Sequence, residues 1–280
     1  MARELDRCGQ VERSINKRFR KTLWTPFMQA IRTYQLLSPG DRVAVCISGG
    51  KDSMLLAKLM QELQRHSKIP FETVFLVMDP GYHPDNRRLI EENAQMLRIP
   101  ITVFTSEIFD IANQQERNPC YLCARMRRGH LYSQAQQLGC NKIALGHHKS
   151  DVIETVLLSM FYGAQIQSMR PKLRSQNFPG MELIRPLYCV HEDDILAWQR
   201  ANDLRFLQCA CRFTEAEQHT SGKRKEIKTL IRTLKQSNPD IEANLFASIH
   251  AVSLDQMVGW KSGGVAHSFL DDYDAGGQGA

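Results

Sequence analysis

The sequence predicts an α/β fold, a Rossmann-like doubly wound parallel sheet preceded by a helical segment and followed by a helical extension. Three observations carry that prediction. From residue 40 to about 200, short apolar runs alternate with segments of helical periodicity. The first run, Val43 to Ile47, leads into Ser48-Gly49-Gly50-Lys51-Asp52-Ser53 and then into a helical apolar pattern, Met54, Leu55, Leu56, Leu59, Met60 and Leu63. The residues richest in chemistry follow such runs, where open parallel sheets bind their ligands.

Residues 1–38 are basic, with Arg13, Lys17, Arg18, Arg20 and Lys21 close together, and read as a helical segment. Within the α/β region, 39–205, strands are expected at 42–47, 73–78, 101–104, 142–145 and 182–184, and helices at 52–65, 84–97, 121–138, 151–162 and 191–201. The polar stretch 165–181 reads as a loop. Residues 206–261 read as a helical region with a second basic segment, 223–236, and 262–280, rich in Gly and Asp, as a disordered tail. No internal repeat is visible.

With 280 residues and 42% hydrophobic content, the chain can bury a sizeable core. Its formal charge of +6 permits a polyanionic partner without requiring one. No apolar stretch approaches the roughly 20 residues of a membrane span. The N-terminus lacks the apolar block of a secretion signal, and Glu4, Asp6 and Glu12 interrupt its basic residues, against a transit peptide. A cytoplasmic protein without membrane association is expected. In that compartment the close pairs among the eight cysteines point to metal binding or chemistry rather than structural disulfides. Cys46, inside a strand, and Cys140, near a helix end, read as buried and inert.

A strand, a glycine turn and a helix start are what a phosphate-cradling loop requires. Glycines let the backbone approach the phosphates, the helix N-terminus offers free N–H groups, and Lys51 adds a full charge. The motif is not a Walker A loop, which needs glycine where Val45 stands and Ser or Thr where Asp52 stands. It resembles instead the PP-loop of ATP pyrophosphatases, which cleave ATP between the α- and β-phosphates and activate a substrate oxygen as an adenylate.

The second constellation is Asn118-Pro119-Cys120-Tyr121-Leu122-Cys123, a CxxC followed by Arg125, Arg127, Arg128 and His130. On spacing alone it fits a redox pair, half of a zinc site completed by Cys209 and Cys211, part of an iron–sulfur site, or an inert pair. The arginines read as contacts for a phosphate backbone or as a solvated helix face.

Taken in order, the loop, the CxxC with Arg-Met-Arg-Arg-Gly, Ala144-Leu145-Gly146-His147-His148, then Asp151, Glu154 and Thr155, Met160-Phe161-Tyr162-Gly163, Pro171-Lys172-Leu173 and Ile184-Arg185-Pro186-Leu187 resemble the tRNA 2-thiocytidine synthetase family of PP-loop ATP pyrophosphatases. The likeness runs from about residue 15 to about 250. It implies an ATP-dependent tRNA 2-sulfurtransferase that adenylates the 2-oxygen of an anticodon-loop cytidine and replaces it with sulfur. It implies that Ser48, Gly49, Gly50, Lys51, Asp52 and Ser53 hold the phosphates and that Asp52 helps place Mg2+. By the same resemblance Asp79 would sit near the nucleotide, Gly146 and His147 would border the ATP pocket, and Asp151 would be a magnesium or catalytic carboxylate. It further implies a 4Fe-4S cluster on Cys120, Cys123 and Cys211, with Cys209 as the alternative third ligand. Partners by analogy are tRNA, a sulfur donor such as a cysteine desulfurase, and a second copy of the chain. The chain departs from the family at Ser150, where an aspartate is usual, at Cys209-Ala210-Cys211 in place of a second CxxC, and at Arg212-Phe213-Thr214. Two rival functions are a lysidine-type PP-loop ligase, which needs no cysteine cluster, and a non-catalytic RNA-binding protein with structural zinc. The basic N-terminal segment and Lys223, Arg224, Lys225 and Lys228 are candidate tRNA contacts. Lys142 and Lys149 read as solvated surface lysines.

Overall fold

A computed structural model describes residues 5–106, 119–207, 218–271 and 273, with only the backbone course given for 119–125 and 218–221. The described chain parts into two compact units, 1–230 and 231–280. In the first, the apolar runs form a six-stranded sheet: β1 Arg42–Ile47, β2 Glu72–Asp79, β3 Ile101–Thr105, β4 Lys142–Ala144, β5 Lys172–Arg174 and β6 Glu182–Ile184. The order is β3-β2-β1-β4-β6-β5, parallel throughout except for the β5–β6 pair. β1, the central strand, is buried from Val43 to Ile47, as a strand covered on both faces must be.

The helices are α1 Arg7–Asn16, α2 Thr25–Thr33, α3 Lys51–His66, α4 Pro84–Met96, α5 Pro119–Gln137, α6 Lys149–Gly163, α7 Glu192–Ala201, α8 Gln218–Ser237 and α9 Ile241–Ser248. Strand order reverses between β1 and β4. The chain from β1 winds toward β2 and β3, and after β4 it winds toward β6. The carboxyl ends of β1 and β4 therefore open a crevice, the usual ligand position in this fold.

The β5 strand lies inside 165–181, which the sequence presented as a loop. Its pairing with β6, Leu173 opposite Leu183, is a tertiary contact that three polar-flanked residues do not announce. Part of the assigned tail takes up regular structure. In the second unit β7 Gly259–Ser262 and β8 Val265–Ser268 make a hairpin that runs through the expected boundary at 262. Its turn is Gly263-Gly264, with φ of +59° and +85°, the left-handed pair that a two-residue hairpin turn needs, and Trp260 stacks on His267 at 5.2 Å. Glycine there supplies a turn, not disorder.

The N-terminal segment is more than a basic arm. Val11, Ile15, Phe19, Leu23 and Phe27 recur every four residues and are all buried, while Arg13, Lys17, Arg18, Arg20 and Lys21 lie on the exposed side. A short π-helical turn, Arg20–Trp24, joins α1 to α2. α1 covers the polar face of α3, so Lys58, Gln61 and Glu62 of α3 are buried. Lys58 Nζ meets Glu12 Oε1 at 2.5 Å and donates to Leu97 O at 3.0 Å, and Arg65 reaches both Glu12 at 2.9 Å and Glu62 at 2.8 Å. Burial pushes the Glu12 carboxyl up, but Lys58 and Arg65 outweigh it and hold it at about 2. Lys142 is likewise no surface lysine. It is buried, 2.8 Å from Asp41, and donates to Leu36 O at 2.9 Å, at the sheet end opposite the crevice.

Removing one partner of a buried pair strands the other charge. Lys58→Ala is expected to cost about 3 kcal/mol in denaturant unfolding, and Arg65→Ala, half-exposed, less than about 1 kcal/mol. Glu12 has a depressed folded pKa, so its contribution is present above the unfolded glutamate value of about 4.3 and disappears as pH falls below it toward about 2. Glu12→Gln should therefore flatten the stability profile in that acid window, measured by urea melts from neutral pH downward.

Candidate nucleotide site

The loop after β1 is built by the absence of side chains. Gly49 has φ +84°, and a Cβ there would stand 2.6 Å from Ile90 Cγ1 and 2.8 Å from Leu207 Cδ1. Gly50 is the N-cap of α3 and makes no side-chain cap, so the helix N-terminus is left open to an anion. Ser53 ties the loop together: its Oγ accepts from Ser48 N at 3.1 Å, donates to Gly50 O at 2.9 Å and lies 3.2 Å from Ser48 Oγ. Gly146, after β4, comes so near that an added Cβ would lie 3.1 Å from Ser53 N and 3.2 Å from the Asp52 carbonyl carbon. The two strand ends meet backbone to backbone.

Around this cradle stand groups from three helix starts. Lys51 Nζ lies 3.0 Å from Asp52 Oδ2 and 3.0 Å from Glu192 Oε1, on the first turn of α7. Burial works against the Lys51 charge, and Asp52 and Glu192 overcome it, so its pKa is raised. Asp52 Oδ1 is buried without a hydrogen-bond partner, 3.7 Å from His148 Nε2. His148 caps α6 reciprocally with Asp151: Asp151 N donates to His148 Nδ1 at 3.3 Å, and His148 N to Asp151 Oδ2 at 3.2 Å. That makes His148 a structural cap. Ser150, the departure from the family pattern, accepts from Glu192 N at 3.2 Å and so joins the starts of α6 and α7.

His147 is driven down to about 4 by burial and then by Arg185, so its imidazole is neutral at physiological pH; its Nδ1 is buried and unpartnered. Arg185, after β6, is also buried, with an unpartnered Nε. Asp79 sits at the end of β2, but its carboxylate is already engaged. It accepts from Gly81 N at 2.9 Å and Tyr82 N at 2.8 Å and pairs with Arg87 at 2.8 Å, shaping the β2–α4 turn.

The structure thus gathers Ser48 to Ser53, Gly146, His147 and Asp151 at one crevice. Sequence reasoning missed Glu192, and it did not foresee the ion pairs that Arg224 and Lys228 make at this crevice. Arg224 Nε lies 3.1 Å from Glu154 Oε2, and Lys228 Nζ lies 2.7 Å from Glu192 Oε2 and 3.6 Å from Glu154 Oε1. They turn inward, with Ile227 buried on the same side, while Lys223 and Lys225 are exposed. The i, i+4 spacing of two basic residues around a buried isoleucine was the available signal. Glu154, buried, is pushed up to about 7 despite those two cations. Cys46 and Cys140 are buried, and burial pushes the Cys46 thiol up to about 12, consistent with inert core cysteines. Cys120 and Cys123 fall in the first turn of α5; their side chains, and Cys209 and Cys211 altogether, lie outside the described residues. Among the described residues no three His, Cys, Asp or Glu converge as a metal cage. A Mg2+ ion fits such a site only with phosphate oxygens completing its shell, its common mode of binding. The orphaned Asp52 Oδ1 suits that role.

A doubly wound sheet with an open-capped, doubly glycine-lined loop at its switch point defines a nucleotide-binding protein of the PP-loop class. The PP-loop domain family model matches residues 15–214. A tRNA-cytidine(32) 2-sulfurtransferase of Citrifermentans bemidjiense is 36% identical over 80% of this chain and 88% of its own length, and one of Anaeromyxobacter dehalogenans is 34% identical over 84% and 79%. Among solved structures, the U34-tRNA thiolase NcsA from Methanococcus maripaludis, with its [4Fe-4S] cluster, superposes with a TM-score of 0.64 at 20% identity, covering 81% of this chain and 76% of that one, a likeness of fold. The chain belongs to the tRNA-cytidine(32) 2-sulfurtransferase family of PP-loop enzymes.

Gly49→Ala forces a Cβ into a left-handed residue, a strain of about 1–2 kcal/mol, and into Ile90 and Leu207. It should lower stability by at least that amount and raise the KM for ATP more than about tenfold, a loss of about 1.4 kcal/mol, as read by thermal melts and pyrophosphate release.

Proposed function

We propose that this protein is an ATP-dependent tRNA thiolase acting on a cytidine of the anticodon loop, position 32 by the name of its relatives. The observation that carries the reading is the phosphate cradle at the β1–β4 crevice, in a chain of this family. Ser48 to Ser53 would hold the phosphates, Gly146 and His147 would border the nucleotide, and Asp79 would support the neighbouring turn. Asp52 and Asp151 would hold Mg2+, which screens the charge of the leaving pyrophosphate.

A pyrimidine carbonyl oxygen is a poor leaving group. The 2-oxygen therefore attacks the α-phosphorus, the α–β bridging bond breaks, and pyrophosphate departs against Lys51 and the open N-terminus of α3. Sulfide-level sulfur then attacks C2, AMP leaves with the oxygen, and any proton on the sulfur is lost to solvent. A 4Fe-4S cluster on Cys120, Cys123 and Cys211 would carry that sulfur, and a cysteine desulfurase would be a suitable donor together with a two-electron reductant that brings its persulfide sulfur to the sulfide level. His147, neutral and buried, offers a hydrogen bond to the pocket without adding charge.

Support for tRNA comes from the exposed side of the N-terminal helices, where Arg13, Lys17, Arg18, Arg20 and Lys21 form a basic face. It comes also from Phe161 and Tyr162, exposed at the end of α6, with Lys223 over the Tyr162 ring at 4.8 Å. Aromatic faces beside cations suit the splayed bases of an RNA loop. No described helix is long and apolar enough to cross a membrane. A homodimer is the assembly we would test first.

The experiment is anaerobic purification with iron and sulfide analysis, followed by nucleoside analysis of tRNA from a deletion strain. About four irons and four sulfides per chain and loss of 2-thiocytidine are expected. Cys120→Ala should abolish thiolation and spare ATP binding. Zinc without ATP turnover would point to the RNA-binding module, and ATP turnover without a cluster to a lysidine-type ligase.

A further inference from the structure

The ion pairs of the crevice form one chain rather than separate bridges. Arg224 contacts Glu154, Glu154 lies beside Lys228, Lys228 meets one oxygen of Glu192, and the other oxygen of Glu192 meets Lys51. The two strong contacts of Glu192, 2.7 Å to Lys228 and 3.0 Å to Lys51, put one ammonium on each oxygen of a single carboxylate. Burial pushes Glu192 up, but Lys228 and Lys51 outweigh it and hold it at about 2, so it stays ionised across the working pH range. It is the fixed member of the chain.

Lys51 addresses the phosphates from the PP-loop. A second ammonium joined to Lys51 through one carboxylate stands at the same mouth. We propose that Lys228 is a second phosphate-binding cation of the nucleotide site, held in register with Lys51 by Glu192, and that its ligand is the β,γ-pyrophosphate portion of ATP. This rests on the PP-loop reading of the crevice and adds a residue from outside the loop.

The charge balance supports this assignment. Asp52, Asp151 and Glu192 ring the mouth with Glu154, which burial leaves partly protonated near neutral pH, and an incoming polyphosphate adds several more negative charges. Lys51 alone does not offset them, and Arg224 is spread between Glu154 at 3.1 Å and Asp151 at 4.0 Å. Lys228 is one-third exposed on a four-carbon stem, so its ammonium can turn from Glu154, 3.6 Å away, toward a phosphate while keeping Glu192. Its inward course also separates it from Lys223 and Lys225, which face solvent and remain available to RNA.

The test measures binding of Mg–ATP, inorganic pyrophosphate and AMP to the holoenzyme without tRNA, for wild type, Lys228→Met and Lys228→Arg. Lys228→Met should weaken ATP and pyrophosphate about tenfold or more and leave AMP, which lacks the β- and γ-phosphates, unchanged. Lys228→Arg should restore most of the loss. In turnover, Lys228→Met should raise the KM for ATP and leave the tRNA KM and its salt dependence as in wild type. Unchanged ATP affinity overturns the proposal. So does an equal loss for ATP and AMP, the mark of a structural role, or a reduced salt slope for tRNA with normal ATP binding, the mark of an RNA contact. If Lys228→Met does not fold, Lys228→Gln carries the same comparison. Absence of ATP binding in the wild type would instead overturn the nucleotide reading of the whole crevice.

Discussion

The site depends on one steric constraint, the meeting of two strand ends without side chains between them. Gly49 leaves β1 in a left-handed turn against Ile90 and Leu207, and Gly146 leaves β4 against the backbone of Asp52 and Ser53. A methyl group on Gly146 would push the PP-loop from the segment that starts α6, and one on Gly49 would push the loop from Ile90 and Leu207. The open N-terminus of α3, the orphaned Asp52 Oδ1 and the His148–Asp151 cap would then no longer share one crevice. Chemistry in this fold follows from backbone approach first and side-chain identity second.

That approach must be held from behind. α3 carries the loop, and its rear face is packed with charge rather than with leucine: Lys58, Gln61 and Glu62 are buried under α1. Such a face is costly unless every charge finds a partner. Glu12, Arg65 and the Leu97 carbonyl supply the partners, so the N-terminal segment completes the core of the nucleotide domain. The same helices turn a basic face outward. One segment can thus fix the loop on its inner side and offer phosphate contacts on its outer side, which would link RNA docking to the position of α3.

The sequence made the central features legible because they are local. A strand, a Gly-Gly turn and a helix start are neighbours in the chain, and the strand limits at 42–47 and 182–184 coincide with those of the structure. The rest was hidden for particular reasons. Glu192 opens Glu192-Asp193-Asp194, a run that satisfies a helix N-terminus on its own, so nothing marked the first acid as a bridge. Lys228 sat among basic residues whose shared charge suggested one shared role, when helical phase divides them into inward and outward pairs. Lys142 carried no sign that Asp41, about a hundred residues earlier in the chain, would meet it at the far end of the sheet. β5 and the β7–β8 hairpin depend on pairing partners, which composition alone does not supply.

The departure at Ser150 bears on how few carboxylates the site needs. Ser150 accepts the backbone N–H that opens α7, a contact a second aspartate would make only by bringing another negative charge beside Glu192 and Asp151. The mouth already sets Asp52, Asp151, Glu192 and the partly protonated Glu154 against Lys51, Lys228 and Arg224. Mg2+ needs one or two protein carboxylates when phosphates complete its shell. Asp52 and Asp151 would meet that number in the proposed site. A serine at 150 keeps the link between α6 and α7 without a further charge beside Glu192 and Asp151.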